Sequence, residues 1–250
     1  MSEPDLSAQL AKMQREWDQR ARENARFYVN TERQEWTDAE FFESGERTVA
    51  EEILTDMINI CQGKEPKRMR VLEIGSGAGR VTRALAKVFG EVYGVDISGE
   101  MVRQARAALA DLRHVHIFQN SGKDLEVLGR LRFDFVFSSI VFQHIPSREV
   151  IESYVRSVRE RLRPGGLFKF QLQGGEMEHT PEDTWLGATF SEEQAREMAT
   201  RCKFEMRYSY GSGTQYFWLW YFRPRIFSRA WVRVAYRRWR ARAARVLKKR

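Results

Sequence analysis

The sequence predicts an α/β fold built on a doubly wound, mostly parallel sheet covered by helices on both faces. Three observations carry this. Short apolar runs alternate with amphipathic helical stretches from residue 71 to about residue 202. The runs are nearly continuous in apolar character, as strands buried on both faces must be. Glycines cluster directly after the first run, where a strand turns into a helix. A chain of 250 residues suits one such domain with additions and is short for two large ones.

The elements follow in order. Residues 5–28 read as a helix, with Leu6, Leu10, Met13 and Trp17 three or four apart. Tyr28, Trp36, Phe41 and Phe42 then stand in a polar background, and Thr37 with Glu40 forms a capping box. A second helix fits 46–61, with Val49, Ile53, Met57 and Ile60 on one face, and 63–70 is a polar linker. Strands fit Val71–Ile74, Val92–Val95, Val115–Phe118, Phe133–Ser138 and Gly166–Leu172. Helices fit Arg80–Phe89, Gly99–Asp111, Ser147–Leu162 and residues 191–202. Two further strands, Phe204–Tyr210 and Gln215–Phe222, close as a hairpin over Gly211 and Gly213, so the sheet ends in an antiparallel element.

Charge is unevenly placed. The net +8 comes from 42 basic and 34 acidic side chains, yet residues 223–250 hold twelve of the bases and no acid. The first 222 residues are left with 30 bases against 34 acids, so the basic character belongs to a tail. The longest apolar run, Tyr216–Phe222, is far too short for a spanning helix, and the charged first twenty residues do not resemble a signal peptide. The expectation is a cytoplasmic protein with Cys61 and Cys202 as reduced thiols.

The chemistry starts at Glu73-Ile74-Gly75-Ser76-Gly77-Ala78-Gly79-Arg80. A dinucleotide fingerprint would put its third glycine at 80, where Arg80 stands. Glu73 would repel a pyrophosphate and welcome a cation. Asp96 ends the next strand, where a carboxylate can accept from both hydroxyls of a ribose. The pair asks for a nucleoside that carries positive charge and no phosphate. S-adenosyl-L-methionine meets that description.

On these residues the chain resembles the class I S-adenosylmethionine-dependent methyltransferases, over roughly residues 65–222. Glu73, Gly75, Gly77 and Gly79 match the first motif. Asp96 matches the ribose acid, with Ile97 and Met101 placed to pack around adenine. Phe133–Ser139 resembles the fourth-strand motif and Leu162–Gly166 the turn into the fifth strand. The resemblance implies a Rossmann-like sheet of seven strands with the last antiparallel. It also implies a cofactor site drawing on Ser76 and Ser138. The chain departs from many relatives after the third strand: Asn120-Ser121-Gly122 stands where they carry Gly-Asp-Ala, and the Asn120 amide, the Ser121 hydroxyl or the Gly122 backbone could contact adenine instead.

The acceptor side is read from position. His144 follows the fourth strand, near the expected methyl, with Gln143 beside it. A neutral imidazole there can take a proton, or it can simply bond backbone. His179 lies in the loop after the fifth strand. No metal is called for. No Asn-Pro-Pro-Tyr or Asp-Pro-Pro-Tyr follows the fourth strand, unlike relatives that methylate base nitrogens. Residues 1–62 are expected to cap the 63–222 domain, with Tyr28, Trp36 and Phe41 as a lid and Arg47 on the methionine carboxylate. In the tail, Arg229, Arg233, Arg237 and Arg240 form one stripe of a helix opposite Phe227, Ala230, Trp231 and Val234. Such a basic amphipathic helix over 226–250 suits an anionic membrane surface. The expected function is methylation of a small-molecule or lipid-linked acceptor at oxygen or nitrogen, at the inner face of the membrane. The alternatives are an RNA methyltransferase with the tail as an electrostatic arm, and a non-catalytic binding module of the same fold.

Overall fold

A computed structural model describes residues 6–175 and 184–225. Helix α1 (Leu6–Val29), α2 (Asp38–Glu52) and the short α3 (Met57–Cys61) precede the sheet. Seven strands follow: β1 (Arg70–Ile74), β2 (Glu91–Asp96), β3 (Val115–Gln119), β4 (Phe133–Ser138), β5 (Leu162–Leu172), β6 (Glu205–Tyr210) and β7 (Phe217–Phe222). Between them run α4 (Arg80–Val88), α5 (Gly99–Ala108), α6 (Arg148–Arg161) and α7 (Glu192–Arg201). The strand order is β3-β2-β1-β4-β5-β7-β6. β1 to β5 pair in parallel, while β7 is antiparallel to both β5 and β6. The order reverses between β1 and β4, and ligands of such sheets bind outside the strand ends at that point. No described helix is long and apolar enough to cross a membrane.

The sheet matches the sequence reading; the N-terminal helices refine it. The capping box holds: the Glu40 N–H donates to Thr37 Oγ1, and the Thr37 N–H to Glu40 Oε2. The helix expected to begin at 46 therefore begins at Asp38, and it stops at Glu52 rather than running on to 61. α1 is broken at Asn24, whose backbone (φ −163°, ψ 82°) leaves the helix while its side chain accepts from the Phe27 N–H and donates to the Gln34 carbonyl. The basic tail 226–250 and His179 lie outside the described residues.

Aromatic packing fixes the loop that follows β4. Phe142 is fully buried and meets Tyr154 of α6 edge-on at 5.5 Å, with Phe170 of β5 at 5.5 Å and Phe168 at 6.1 Å. Phe168 and Phe170 alternate with Lys169 along β5, so they share one face and stack at 4.1 Å. Lys169 points to the other face, where Glu52 of α2 pairs with it at 2.9 Å between the rings of Trp218 and Trp220. Phe142→Ala should therefore destabilise the domain by about 3–5 kcal/mol, the usual range for a buried aromatic truncated in a core. Urea unfolding midpoints measure it, and a loss under about 1 kcal/mol would mean that the loop is not held by this ring.

Candidate active site

The turn after β1 builds the floor of a cavity. The N–H groups of Gly75 and Ser76 donate to the Val95 carbonyl of β2 at 2.8 and 3.0 Å, which pins the turn across the strand ends. Gly75 and Gly77 have φ of 75° and 51°, and both are closely approached. A Cβ on Gly75 would stand 2.1 Å from Val141 Cγ2, and one on Gly77 would stand 2.6 Å from Val29 Cγ2. Gly77 also aims its N–H at Asp96 Oδ2, 2.8 Å away, while the Ser98 N–H donates to Oδ1 at 2.9 Å.

Three groups of elements line the cavity. The strand ends supply Glu73, Ile74, Gly75, Ser76, Gly77, Val95, Asp96 and Asn120. The loop after β4 supplies Ser139, Ile140, Val141 and His144. α1 covers it with Met13, Trp17, Tyr28 and Val29. Ile140, with φ 55°, is a β-branched residue in the left-handed region, and its N–H is held by Gln171 Oε1 at 3.1 Å.

The electrostatics are unusual for a domain interior. Burial pushes Glu73 up to about 8, against the Thr82 hydroxyl that donates to it at 2.5 Å and the nearby Arg80 guanidinium. Burial likewise pushes Asp96 up to about 6, against the N–H groups of Ser98 and Gly77. Arg80 is itself buried and lines the cavity; its Nη1 donates to the Ser44 carbonyl and to Thr48 Oγ1, both at 3.0 Å. Three buried polar atoms of lining residues have no partner among the described residues: Ser76 Oγ, Arg80 Nε and Asn120 Oδ1. The Asn120 amide nitrogen is used, donating to Tyr154 Oη at 2.8 Å and to the Asp124 carbonyl at 3.1 Å.

His144 sits between two tryptophans, 5.3 Å from Trp17 and 5.1 Å from Trp185. Its Nδ1 lies 2.6 Å from the Trp185 carbonyl, which can only accept, so Nδ1 carries the proton and Nε2 is the basic nitrogen. Gln143 Nε2 lies 3.5 Å from that nitrogen.

The cavity thus gathers Glu73, Gly75, Ser76, Gly77, Asp96, Ile97, Met101, Asn120, Gly122, His144 and Tyr28 from the expected set. It does not gather others. Arg47 is exposed and paired to Glu32 at 3.1 Å. Ser121 is exposed, with its hydroxyl turned to the Lys123 N–H. Ser138 is buried and donates to the Ile74 carbonyl at 2.9 Å. Gly79 serves as the N-cap of α4. Trp36 and Phe41 form a small core with Ala21, Ala25, Ala78 and Met101 rather than a lid surface. Gln143 is buried in a relay, its Oε1 accepting from Gln171 at 2.9 Å. The cavity also takes in residues that the sequence reading does not assign to it, among them Arg80, Trp17, Ser139, Ile140, Val141 and Tyr154. Arg80 gave a signal, because it occupies the third-glycine place.

Residues 71–166 match the methyltransferase domain family. The structure aligns with the DhpI–SAM–HEP complex at a TM-score of 0.60, over 89% of this chain and all of the other, at 19% identity. The fold is that of a class I S-adenosylmethionine-dependent methyltransferase. Two curated methyltransferases are similar in sequence. The ubiquinone biosynthesis O-methyltransferase of Xanthomonas axonopodis pv. citri is 30% identical over 103 residues, which are 41% of this chain and 42% of that protein. The dTDP-3-amino-3,4,6-trideoxy-alpha-D-glucopyranose N,N-dimethyltransferase of Streptomyces venezuelae is 26% identical over 148 residues, 58% of this chain and 59% of that one. The chain therefore spans about half the length of these relatives.

The raised carboxyls of this methyltransferase fold give it a testable pH dependence. Glu73 and Asp96 hold protons in the folded state at pH values where the unfolded chain has lost them. Their contribution to stability is complete below the ordinary carboxyl range and is lost as pH rises through about 6 and then about 8. Glu73→Gln removes the larger part. Its urea midpoint should fall less than that of the parent chain between pH 5 and 8.5 in the ligand-free protein; parallel profiles would refute the buried acid.

Proposed function

We propose that this chain is an enzyme that transfers a methyl group from S-adenosyl-L-methionine to a small-molecule acceptor, at oxygen or nitrogen. The carrying observation is the convergence of unmatched polar groups on one cavity. Ser76 Oγ, Arg80 Nε and Asn120 Oδ1 lack partners there, beside two carboxyls pushed up by burial. Arg80, Asn120 and the two carboxyls each have a counterpart on this cofactor. The Asp96 oxygens keep lone pairs for the ribose hydroxyls. Asn120 Oδ1 accepts from the adenine amino group, the role that a carboxylate fills in many relatives. Arg80, not Arg47, meets the methionine carboxylate, and Glu73 loses its proton as the cation binds and then answers the positive charge of the ligand. Ile97 and Met101 supply the apolar walls for adenine.

When bound, the cofactor supplies an electrophilic methyl carbon on a sulfonium. The protein's part is orientation and proton removal. α1 excludes water from above with Met13, Trp17 and Tyr28. Strained Ile140, fixed by Gln171, sets the loop that carries His144. His144 Nε2 takes the proton that the acceptor hydroxyl or amine loses as its bond to carbon forms. The relatives whose names describe O- and N-methylation of small molecules support this acceptor class. The basic amphipathic segment 226–250 supports a place at an anionic membrane surface.

Two experiments test the reading. With methyl-labelled S-adenosylmethionine and a cell extract, label should enter a product that resists nuclease and protease; label confined to RNA or protein would refute it. By calorimetric titration, Asp96→Ala should weaken S-adenosylmethionine binding by about tenfold or more, the loss of a charged hydrogen-bond acceptor. Arg47→Ala should leave that affinity unchanged, and the reverse pattern would return the carboxylate contact to Arg47.

A further inference from the structure

Two buried glutamines join the sheet to the loop that carries His144. Gln171 interrupts the apolar run of β5 and lies opposite Trp218 of β7. Its Oε1 accepts from the Ile140 N–H at 3.1 Å, and its Nε2 donates to Gln143 Oε1 at 2.9 Å and to the Gln215 carbonyl at 3.4 Å. Gln143 Nε2 lies 3.5 Å from His144 Nε2, and His144 Nδ1 lies 2.6 Å from the Trp185 carbonyl. Gln171, Gln143 and His144 are all buried. Backbone contacts lock the frame: the Gly187 N–H donates to the Gln143 carbonyl at 2.6 Å, and the Ala188 N–H to that of Ile145 at 2.9 Å.

The relay has one polarity. A backbone N–H only donates and a backbone carbonyl only accepts, and these stand at its two ends. The Ile140 N–H takes the oxygen of Gln171, which turns the amide nitrogen to Gln143 and Gln215. Gln143 answers with its oxygen, so its NH2 faces the imidazole. At the far end the Trp185 carbonyl takes the Nδ1 proton, which leaves Nε2 with a lone pair toward Gln143. A proton on Nε2 would set N–H against NH2. Turning the Gln143 amide relieves that clash only by setting its NH2 against that of Gln171, whose own orientation is held by backbone at two points. The contact to Nε2 is the longest of the relay, so it is also the one that a ligand displaces most readily.

We propose that Gln171 is a positioning residue: acting through Gln143, it holds His144 as the neutral imidazole protonated at Nδ1, ready for an acceptor that brings its own proton. The inference rests on the methyl-transfer reading of the cavity and narrows its acceptor to a hydroxyl or an N–H group. An ionised carboxylate would meet the Nε2 lone pair with lone pairs of its own. In the transfer, the acceptor atom gains the bond to the methyl carbon, and the sulfur keeps the electron pair of the bond that breaks. The acceptor's proton passes to Nε2 in place of the contact from Gln143, and the imidazolium loses it to water once the product has left. Gln171 does not line the cavity, so its part is played through its neighbours.

The test is imidazole nitrogen NMR on the full chain with isotope-labelled histidine. The chain has four histidines, and His144→Gln assigns the signal. Near neutral pH the parent should show the Nδ1–H tautomer at His144. Gln171→Met keeps length and apolar bulk but neither hydrogen bond. The released Gln143 amide then turns its oxygen to Nε2, and the titration midpoint of His144 should rise by about one pH unit against the parent. Among the described residues, the charged and titratable groups about His144 are Arg20 of α1, which lies over Trp17 and Trp185 and pairs with Glu16 at 3.6 Å, and Glu73, Asp96, Arg80, Tyr28 and Tyr154 on the cavity lining. All are common to parent and variant, so the difference reports the relay. Adding Gln171→Met to Gln143→Met should move the midpoint by less than about 0.3 unit, because the link is already gone. Where Gln171→Met does not fold, Gln143→Glu keeps the partner of Gln171 and offers an acceptor to Nε2, and the midpoint should again rise by about one unit or more. An Nε2–H tautomer in the parent, an unmoved midpoint in either variant, or a full shift from Gln171→Met in the Gln143→Met background overturns the positioning role. None of these readouts needs cofactor or turnover, so their failure is distinct from failure of the methyl-transfer reading. Methyl label that leaves the product as methanol in mild alkali would mark a carboxylate acceptor and overturn the narrowed acceptor class.

Discussion

Two carboxyl groups stand at neighbouring strand ends, Glu73 buried and Asp96 half-buried, and the rest of the structure answers to that constraint. Glu73 stands opposite Gly94 of β2, two residues before Asp96. A carboxylate in such surroundings is tolerated only where donors face it. The chain brings the Thr82 hydroxyl to one, the N–H groups of Gly77 and Ser98 to the other, and the Arg80 guanidinium within reach of Glu73. These donors dictate local structure. Parallel pairing sets the two strand ends side by side, residue 77 has the backbone freedom of glycine, and α4 begins at Arg80 so that Thr82 lies in its first turn. These donors do not outweigh burial, and both groups hold protons at pH values where free carboxyls are ionised.

The N-terminal helices are keyed to the same residues. Asp18 of α1 accepts from Ser98 Oγ at 2.6 Å and from the Glu100 N–H at 3.1 Å, at the start of α5. Ser98 caps α5 by accepting from the Met101 N–H, and its own N–H holds Asp96. The charge of Asp18 adds to the upward push on Asp96. Docking of α1 and the electrostatics of the cavity are therefore linked through one serine. On the other side, Arg80 reaches Ser44 and Thr48, so α2 is fastened by a residue that also lines the cavity. Arg20 completes the cover, lying over the rings of Trp17 and Trp185 at 4.9 and 5.5 Å.

The middle of the sheet was legible in the sequence because β1, β2, β4 and β7 are buried on both faces and so are apolar at most positions, and Phe133–Ser138 was read to the residue. The glycine turn and Asp96 were legible because backbone geometry and strand ends leave few residue types able to serve. The start of α2 was missed although its capping box was recognised, since the helical face chosen for 46–61 ignored what Thr37 and Glu40 begin. Arg47 and Arg80 were confused for a deeper reason. Which arginine enters a cavity depends on how α2 packs on α4, where a Cβ on Gly45 would stand 2.1 Å from the Arg80 carbonyl oxygen. That close approach is a tertiary fact with no periodicity of its own. Trp17 and Trp185 belong to the same class: their rings meet across 168 residues of sequence.

The reversed strand β7 has an electrostatic consequence for the site. A parallel seventh strand would deliver the chain to the cavity end, with Arg223 and Arg225 on the side of Glu73 and Asp96. Reversal brings Arg223 out beside Gly165 and Gly166 instead, with Phe222 opposite Leu167, five residues or about 16 Å of strand from Leu172. The sheet thus sets the carboxyls of the cavity and the arginines at the chain's exit at different levels of the same strands, and it does so because its last strand runs against the rest.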